Sequence, residues 1–351
     1  MSGGSLTKLI ASFLVCLLLL GACASAQFRP SPDPTVSPEA STENLPTPMP
    51  TYTPTLPAPG TLENPYRVAM IDETVTETQR SNADNLAAQF TENLGVSFTV
   101  VFFADYLQLE EALQTGTVQF AWLPSVEYIL AAQKQLLTSL LVTNHLGVTA
   151  YGVQFLGNVD SKFTGFFDTG THSSTASASQ ALQQLSGLKP CFNSTRSLSG
   201  FWVPNGFLTQ NAITTQEPVF TNSSSASIRA LYVKGVCDFA ATYAYFADPR
   251  TSSEVITDLP DVLAKVPIIW ASGRVIPNLN LSSVLSLDLA FRNRMADYLI
   301  NLARTDEGKQ LLSGLLDYDV AGLDGIQDGT YDELRSLLRS QGANLYSLLG
   351  Q

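Results

Sequence analysis

Histidine and cysteine are nearly absent from this 351-residue chain, which has two of the first and four of the second. Neither His145 nor His172 has a cysteine or carboxylate beside it at a metal-ligand spacing, so both read as structural or exposed and no metal centre is expected. The chain also lacks G-x-S-x-G, P-loop, G-x-G-x-x-G and H-E-x-x-H patterns. Without a nucleophile elbow, a phosphate cradle or a zinc helix, enzymatic activity has no positive support, and no cofactor is expected. The carboxylate pairs Glu110-Glu111 and Asp332-Glu333 fall on helical patterns and read as solvated faces rather than acid–base machinery. Positive charge is scarce too: 19 Lys and Arg stand against 31 Asp and Glu, a net charge of −12. A nucleic-acid partner is disfavoured, because a phosphate backbone needs a positive footprint, and any bound anion must be held mainly by local dipoles.

Long apolar runs are limited to one, from Leu9 to Leu20, with Lys8 as the only charge before it. A membrane span needs roughly 20 residues, so this shorter run matches the apolar region of an export signal. It ends in Leu20-Gly21-Ala22-Cys23, which resembles the bacterial lipobox. Residues 1–22 are thus expected to be a lipoprotein signal peptide and Cys23 the lipidated N-terminus. An ordinary signal cut near Ala24-Ser25-Ala26 is the alternative. Residues 24–65 hold eleven Pro, seven Thr and four Ser, more than half of that stretch. Such a segment has too few large apolar groups to offset its ordering entropy, and at about 3.1 Å per residue it makes a long spacer. With Cys23 it reads as a tether, residues 23–65; a mucin-like or partner-binding segment is the other reading.

From residue 66 onward, strand-like and helix-like patterns alternate. Tyr66 to Ile71 reads as a buried strand, Thr78 to Leu94 as a helix with Ala83, Leu86, Phe90 and Leu94 on one face, and Val96 to Phe103 as a strand. A helix over 106–113, a strand over 118–123 and a helix opened by Pro124 follow. Strands are expected over 137–142 and 148–156, then an irregular surface insertion at 158–179. A second alternation covers 189–242, with helices at 200–211 and 226–234 and a further strand at 266–271. Leu287, Phe291, Met295, Tyr298 and Leu302 form one apolar stripe of a late helix, and shorter helices are expected over 306–315 and 331–340. This alternation implies an α/β protein of two lobes, each a mostly parallel sheet flanked by helices.

Of the four cysteines, Cys16 lies in the signal and Cys23 in the lipobox, which leaves Cys191 and Cys237 on strands of the same half. An oxidising exterior permits a disulfide if their Cα atoms approach within about 7 Å; two separate buried thiols are the other reading. The most informative stretch is Cys191-Phe192-Asn193-Ser194-Thr195-Arg196-Ser197-Leu198-Ser199-Gly200, where a strand feeds a hydroxyl-rich loop and a Gly opens a helix. Unpaired amides and a positive dipole at such a helix start suit an oxyanion. An ordinary serine N-cap is the plainer explanation.

This run resembles the strand–Ser-Thr-Ser-Gly–helix motif of the phosphonate/phosphate-type periplasmic substrate-binding proteins of ABC transporters, which have a two-lobe type II fold. Other stretches resemble the family in the same order: Asp105-Tyr106, Phe120-Ala121-Trp122-Leu123-Pro124, Tyr151, Phe220-Thr221-Asn222-Ser223-Ser224, Asp238-Phe239-Ala240-Ala241, Ile276-Pro277-Asn278 and Asp306-Glu307-Gly308. The resemblance implies a first lobe of residues 66–153 and 272–351, a second of 154–271, and a ligand cleft between them. It implies ligand contacts from Tyr106, Trp122, Tyr151, Ser197, Leu198, Ser199, Gly200 and Ser224. Two positions depart from the pattern: Leu198 stands where the family has Thr, and Ser224 where it commonly has His. The function implied is a monomeric, lipid-anchored extracytoplasmic receptor that hands a small anionic solute, phosphonate, phosphite or phosphate, to an ABC permease. A sulfonate or vitamin precursor as cargo, or a role as ligand reporter to a membrane sensor kinase, is the alternative.

Overall fold

Two β-sheets, each flanked by helices, divide residues 57–350, the part of the chain described by the computed structural model. The signal segment 1–22, Cys23 and all of the tether before residue 57 lie outside the described residues. No described helix is long and apolar enough to cross a membrane.

The chain begins the first sheet with β1 (Tyr66–Ile71), α1 (Glu77–Leu94), β2 (Phe98–Phe103), α2 (Tyr106–Gln114), β3 (Phe120–Leu123), α3 (Ser125–Gln133) and β4 (Leu137–Asn144). Helix α1 starts where expected because Thr76 and Gln79 form a reciprocal capping box, and it stops at Gly95, which takes the left-handed conformation at φ 71°. Asp105 caps α2 through the amide of Gln108. The chain then crosses to a second sheet with β5 (Ala150–Gly157), a small hairpin of β6 (Phe167–Asp168) and β7 (Ser173–Ser174), α4 (Ala178–Ala181), β8 (Pro190–Phe192), α5 (Val203–Gln210), β9 (Val219–Phe220), α6 (Ser224–Val233) and β10 (Phe239–Ala244). Two short helices, α7 (Ser253–Asp258) and α8 (Val262–Lys265), lead to β11 (Ile268–Ala271). The chain returns through β12 (Ile276–Pro277) to β13 (Asn280–Val284), α9 (Leu289–Leu302), α10 (Asp306–Leu316), β14 (Gly322–Gly325), α11 (Asp332–Arg339) and α12 (Leu345–Leu348).

The first sheet has the order β14-β4-β13-β3-β1-β2; β2, β1 and β3 are parallel, while β13 runs antiparallel between β3 and β4. The second has the order β11-β5-β10-β8-β9, with β10, β8 and β9 parallel and β5 antiparallel to β10 and β11. Each sheet is therefore a parallel trio extended by antiparallel strands, among them those that flank the crossings between lobes. The two crossings run side by side, since Ile276 pairs with Tyr151 and Pro277 with Ala150. Gly152 allows this closeness: a Cβ there would run into the carbonyl oxygen of Gly273.

One apolar cluster packs α1, α9 and α10 on the first sheet through Phe90, Phe98, Phe120, Phe291, Met295 and Leu312. A third covers the far face of the second sheet and includes Cys191, Ile228, Leu231 and Val255. Cys191 and Cys237 are joined by a disulfide with Cα atoms 5.6 Å apart. The largest cluster contains residues of both sheets, from Tyr106 and Ile129 to Phe192, Phe207 and Leu337.

Four features differ from the sequence expectations. The helix after the serine loop opens as a π-turn, Leu198–Trp202, before α5. Pro204 has no N–H to give the Gly200 carbonyl, which accepts from Asn193 instead, and the wider turn pairs Trp202 and Val203 with carbonyls five residues back. The 158–179 segment is tied down, because its hairpin bonds to β11 through Ser174 and the Trp270 indole donates to Ala176. Glu110 is not on a solvated face: it is buried, ion-paired with Lys134 and bonded to the Tyr346 hydroxyl. The C-terminal segment touches both lobes: α11 packs on α5, with Gly206 against Leu337 and Gln341 bonded to Asn205 and the Trp202 carbonyl, while Tyr346 of α12 bonds to Glu110 of α2.

Candidate functional site

Parallel strands end at a common edge, and ligands in such folds sit beyond the carboxyl ends of the strands. Here a cleft of about 530 Å³ lies at that edge. Its first wall is made by Met70 and Ile71 at the end of β1, Trp122 near the end of β3, and Pro124 to Glu127 at the start of α3. Its second wall carries Arg196 and Leu198. The floor comes from the crossings, Tyr151 and Ile276 to Leu279, and a rim comes from Asp317, Tyr318, Leu348 and Leu349.

The second wall is built by β8, whose end releases the loop 193–197 into the π-turn. Ser197 caps that turn, its Oγ accepting from the Gly200 amide at 3.0 Å. The next two amides, of Leu198 and Ser199, stand in the first turn, where helix geometry provides no acceptor. Gly200 is buried against Asn193, and a Cβ on it would come within 2.5 Å of the Asn193 Cβ, so the turn requires glycine. Beside it, Tyr151 lines the cleft from a half-buried position. Burial pushes its pKa up to about 12, the phenol of Tyr318 adds to this, and the nearby Ser199 hydroxyl opposes it. A neutral phenol, open amides, a serine hydroxyl and the Arg196 guanidinium thus stand together on one side. That set can donate hydrogen bonds to an oxyanion without a buried cation.

The first wall offers a different chemistry. Pro124 gives α3 no side-chain cap, and Glu127 sits in its first turn. Burial raises the Glu127 pKa from 4.5 to about 7, a hydrogen bond from its own backbone amide opposing the rise. Ser125 ties this wall to the floor, its Oγ donating to the Pro277 carbonyl at 2.6 Å.

Residues 70–331 match the family model for the phosphonate periplasmic substrate-binding protein of ABC transporters. The chain belongs to that family. No curated protein matches its sequence. Among solved structures, it is similar to XAC2383 of Xanthomonas citri bound to ATP, at 16% identity and a TM-score of 0.55, covering 81% of this chain and 97% of that one. It is also similar to PhnD1 of Prochlorococcus marinus in complex with methylphosphonate, at 14% identity and a TM-score of 0.48, covering 79% and 98%. Transferrin 1 of Manduca sexta shares 11% identity at a TM-score of 0.51, over 79% of this chain and 47% of that one. The fold is that of the type II periplasmic binding proteins. Proteins of this phosphonate-binding family are the extracytoplasmic, solute-binding components of transporters; they take small anions and work with an ABC permease.

Within this family frame, the residues singled out in the sequence are distributed unevenly. Trp122, Tyr151 and Leu198 line the cleft, and Ser197, Ser199 and Gly200 shape the turn behind it. Tyr106 does not reach the cleft: it is 2% exposed, its hydroxyl has no hydrogen-bond partner, and the ring lies near Tyr346. Ser224 begins α6 and does not line the cleft either. His145 stacks on Tyr318 at 4.2 Å, with its Nδ1 2.8 Å from the Asp319 carbonyl, which makes it part of the crossing. Glu127, Tyr318, Leu348 and Leu349 were not singled out in the sequence. For Met70 and Ile71 a signal existed, the end of a parallel strand; for the C-terminal leucines none did.

Proposed function

We propose that this protein is a lipid-anchored receptor that captures a phosphonate, phosphite or phosphate in the cleft and presents it to an ABC permease. Cys23 would carry the lipid and residues 24–65 would hold the binding lobes off the membrane. Capture involves no covalent chemistry. The anion accepts hydrogen bonds from the amides of Leu198 and Ser199 and from Tyr151, Arg196 offsets its charge, and the lobes close by bending at the paired crossings. The observation that carries this reading is the capped π-turn at the end of β8, whose Leu198 lines the cleft together with Arg196 and Tyr151.

Thermal unfolding against phosphonates, phosphite, phosphate, sulfate, sulfonates and thiamine precursors tests it, because a ligand that binds only the folded state raises the midpoint. A shift of several degrees with phosphorus oxyanions is expected. A shift confined to sulfonates or to thiamine precursors would replace the cargo, and none with any member would remove the oxyanion reading. Replacing Cys23 with Ser is expected to release the protein from the membrane fraction; retention there would refute the anchor.

A further inference from the structure

A second cavity, of about 420 Å³, shares no lining residue with the cleft. It lies on the face of the second sheet that carries the disulfide, since Gln154 in its lining alternates in step with Leu156 along β5, and Leu156 packs with Cys191. The β6–β7 hairpin closes one side with Phe167, Thr169 and His172, and the loop after β10 closes another with Tyr245 and Asp248. Arg274, on the crossing that returns to the first sheet, completes the wall. The charged groups here are of two kinds. Arg250 is buried and committed: it donates to the Asp248 carboxylate at 2.7 Å and to the Val266 carbonyl at 2.9 Å. Arg274 is exposed, and among the described residues no oxygen accepts from its guanidinium, which lies 5.6 Å from the centre of the Tyr245 ring. A guanidinium laid on an aromatic face is oriented by the ring and keeps its N–H fork free. The ring is itself held in an unusual place. Tyr245 has a φ of 85°, a left-handed backbone that a bulky side chain seldom adopts. Its hydroxyl donates to the Ser272 carbonyl, and it passes so near Gly152 that a Cβ there would come within 2.9 Å of it. Strain of this kind gathers at ligand sites.

We propose that this cavity is a second ligand site, for a small carboxylate on a flat apolar body. The Arg250–Asp248 pair cancels, so Arg274 leaves one positive charge, which suits a monoanion, and its planar fork matches the two oxygens of a carboxylate. The body lies along Tyr245 and Phe167, and the buried Gln154 amide, Thr169 and His172 supply polar groups around it. The site stands whether or not the cleft takes an oxyanion, because the two have no residue in common.

Calorimetric titration of the purified protein with benzoate, acetate and benzyl alcohol tests this. Benzoate is expected to bind with one-to-one stoichiometry and at least about tenfold more tightly than either of the others, since acetate lacks the body and benzyl alcohol the charge. Arg274→Ala, a change at an exposed side chain, is expected to weaken benzoate by at least about tenfold. Acetate as tight as benzoate overturns the flat body, and benzyl alcohol as tight overturns the carboxylate. Benzoate binding unchanged in Arg274→Ala, or no binding of benzoate to the unaltered protein, overturns the site.

Discussion

Two helix starts face the cleft, and they are opposite in kind. Both follow the end of a parallel strand, α3 after β3 and the π-turn of α5 after β8. In the second lobe the start is furnished with Ser197 and Ser199, and their neighbouring amides have no carboxylate placed on them. In the first lobe the corresponding turn holds a carboxyl of its own, Glu127, over its own amides. A helix start favours negative charge whether the charge comes from a ligand or from the chain. The chain supplies a carboxyl in one lobe and none in the other, so in the proposed binding mode the second lobe holds the anion and the first contributes mainly Trp122 and an apolar wall.

The largest test of this asymmetry concerns what holds the second lobe's turn in place. The Cys191–Cys237 bridge closes a separation of 46 residues at the root of the serine loop. Replacing both cysteines with Ala is expected to cost about 3–5 kcal/mol of unfolding free energy, read by urea denaturation. A loss below ~1 kcal/mol would mean the loop is held by packing alone. Next in size, Ser197→Ala with Ser199→Ala is expected to weaken anion binding by about 2–4 kcal/mol, since it removes the Ser197 cap that holds the donor amides and one hydroxyl donor, a hydrogen bond to a charged acceptor contributing roughly 1.5–3 kcal/mol. Unchanged affinity by calorimetry would move the anion to the other wall. The smallest effect belongs to the first lobe. With its pKa raised from 4.5 to about 7, Glu127 binds a proton more tightly in the folded state than in the unfolded one. Its stabilising contribution is complete below pH 4.5, declines as the pH rises toward 7 and is lost above it. Glu127→Gln is therefore expected to flatten the fall in melting temperature between pH 5 and 8. It is also expected to tighten anion binding at pH 8 by roughly 1 kcal/mol, with little change at pH 5 where the carboxyl is neutral. The same gain at both pH values would show that the carboxylate charge plays no part.

Much of the architecture was legible because local rules and tertiary context agreed. The apolar stripe through Phe291, Met295, Tyr298 and Leu302 became α9, and the hydrophobic runs 66–71 and 96–103 hold the adjacent parallel strands β1 and β2. The serine loop was legible for the same reason, since a hydroxyl before a helix has few other places to go. Tyr106 was misplaced for the opposite reason. Its position after Asp105 gave it a ligand-facing expectation, but Tyr346, some 240 residues later in the chain, packs against it, and no local pattern encodes that contact. Glu110 was read as solvated on helical spacing alone, and its partners Lys134 and Tyr346 come from the end of α3 and from α12.

The sequence by itself determined the order of strands and helices, the capped turn at Ser197 to Gly200 and the family, because these depend on periodicity, capping chemistry and residue order within short windows. Only the tertiary structure decided which residues line the cleft, that Glu127 occupies its own helix start, and that the C-terminal leucines close the rim. Those outcomes depend on contacts between segments far apart in the chain, and burial and charge at a site arise from everything packed around it rather than from the residues beside it in sequence.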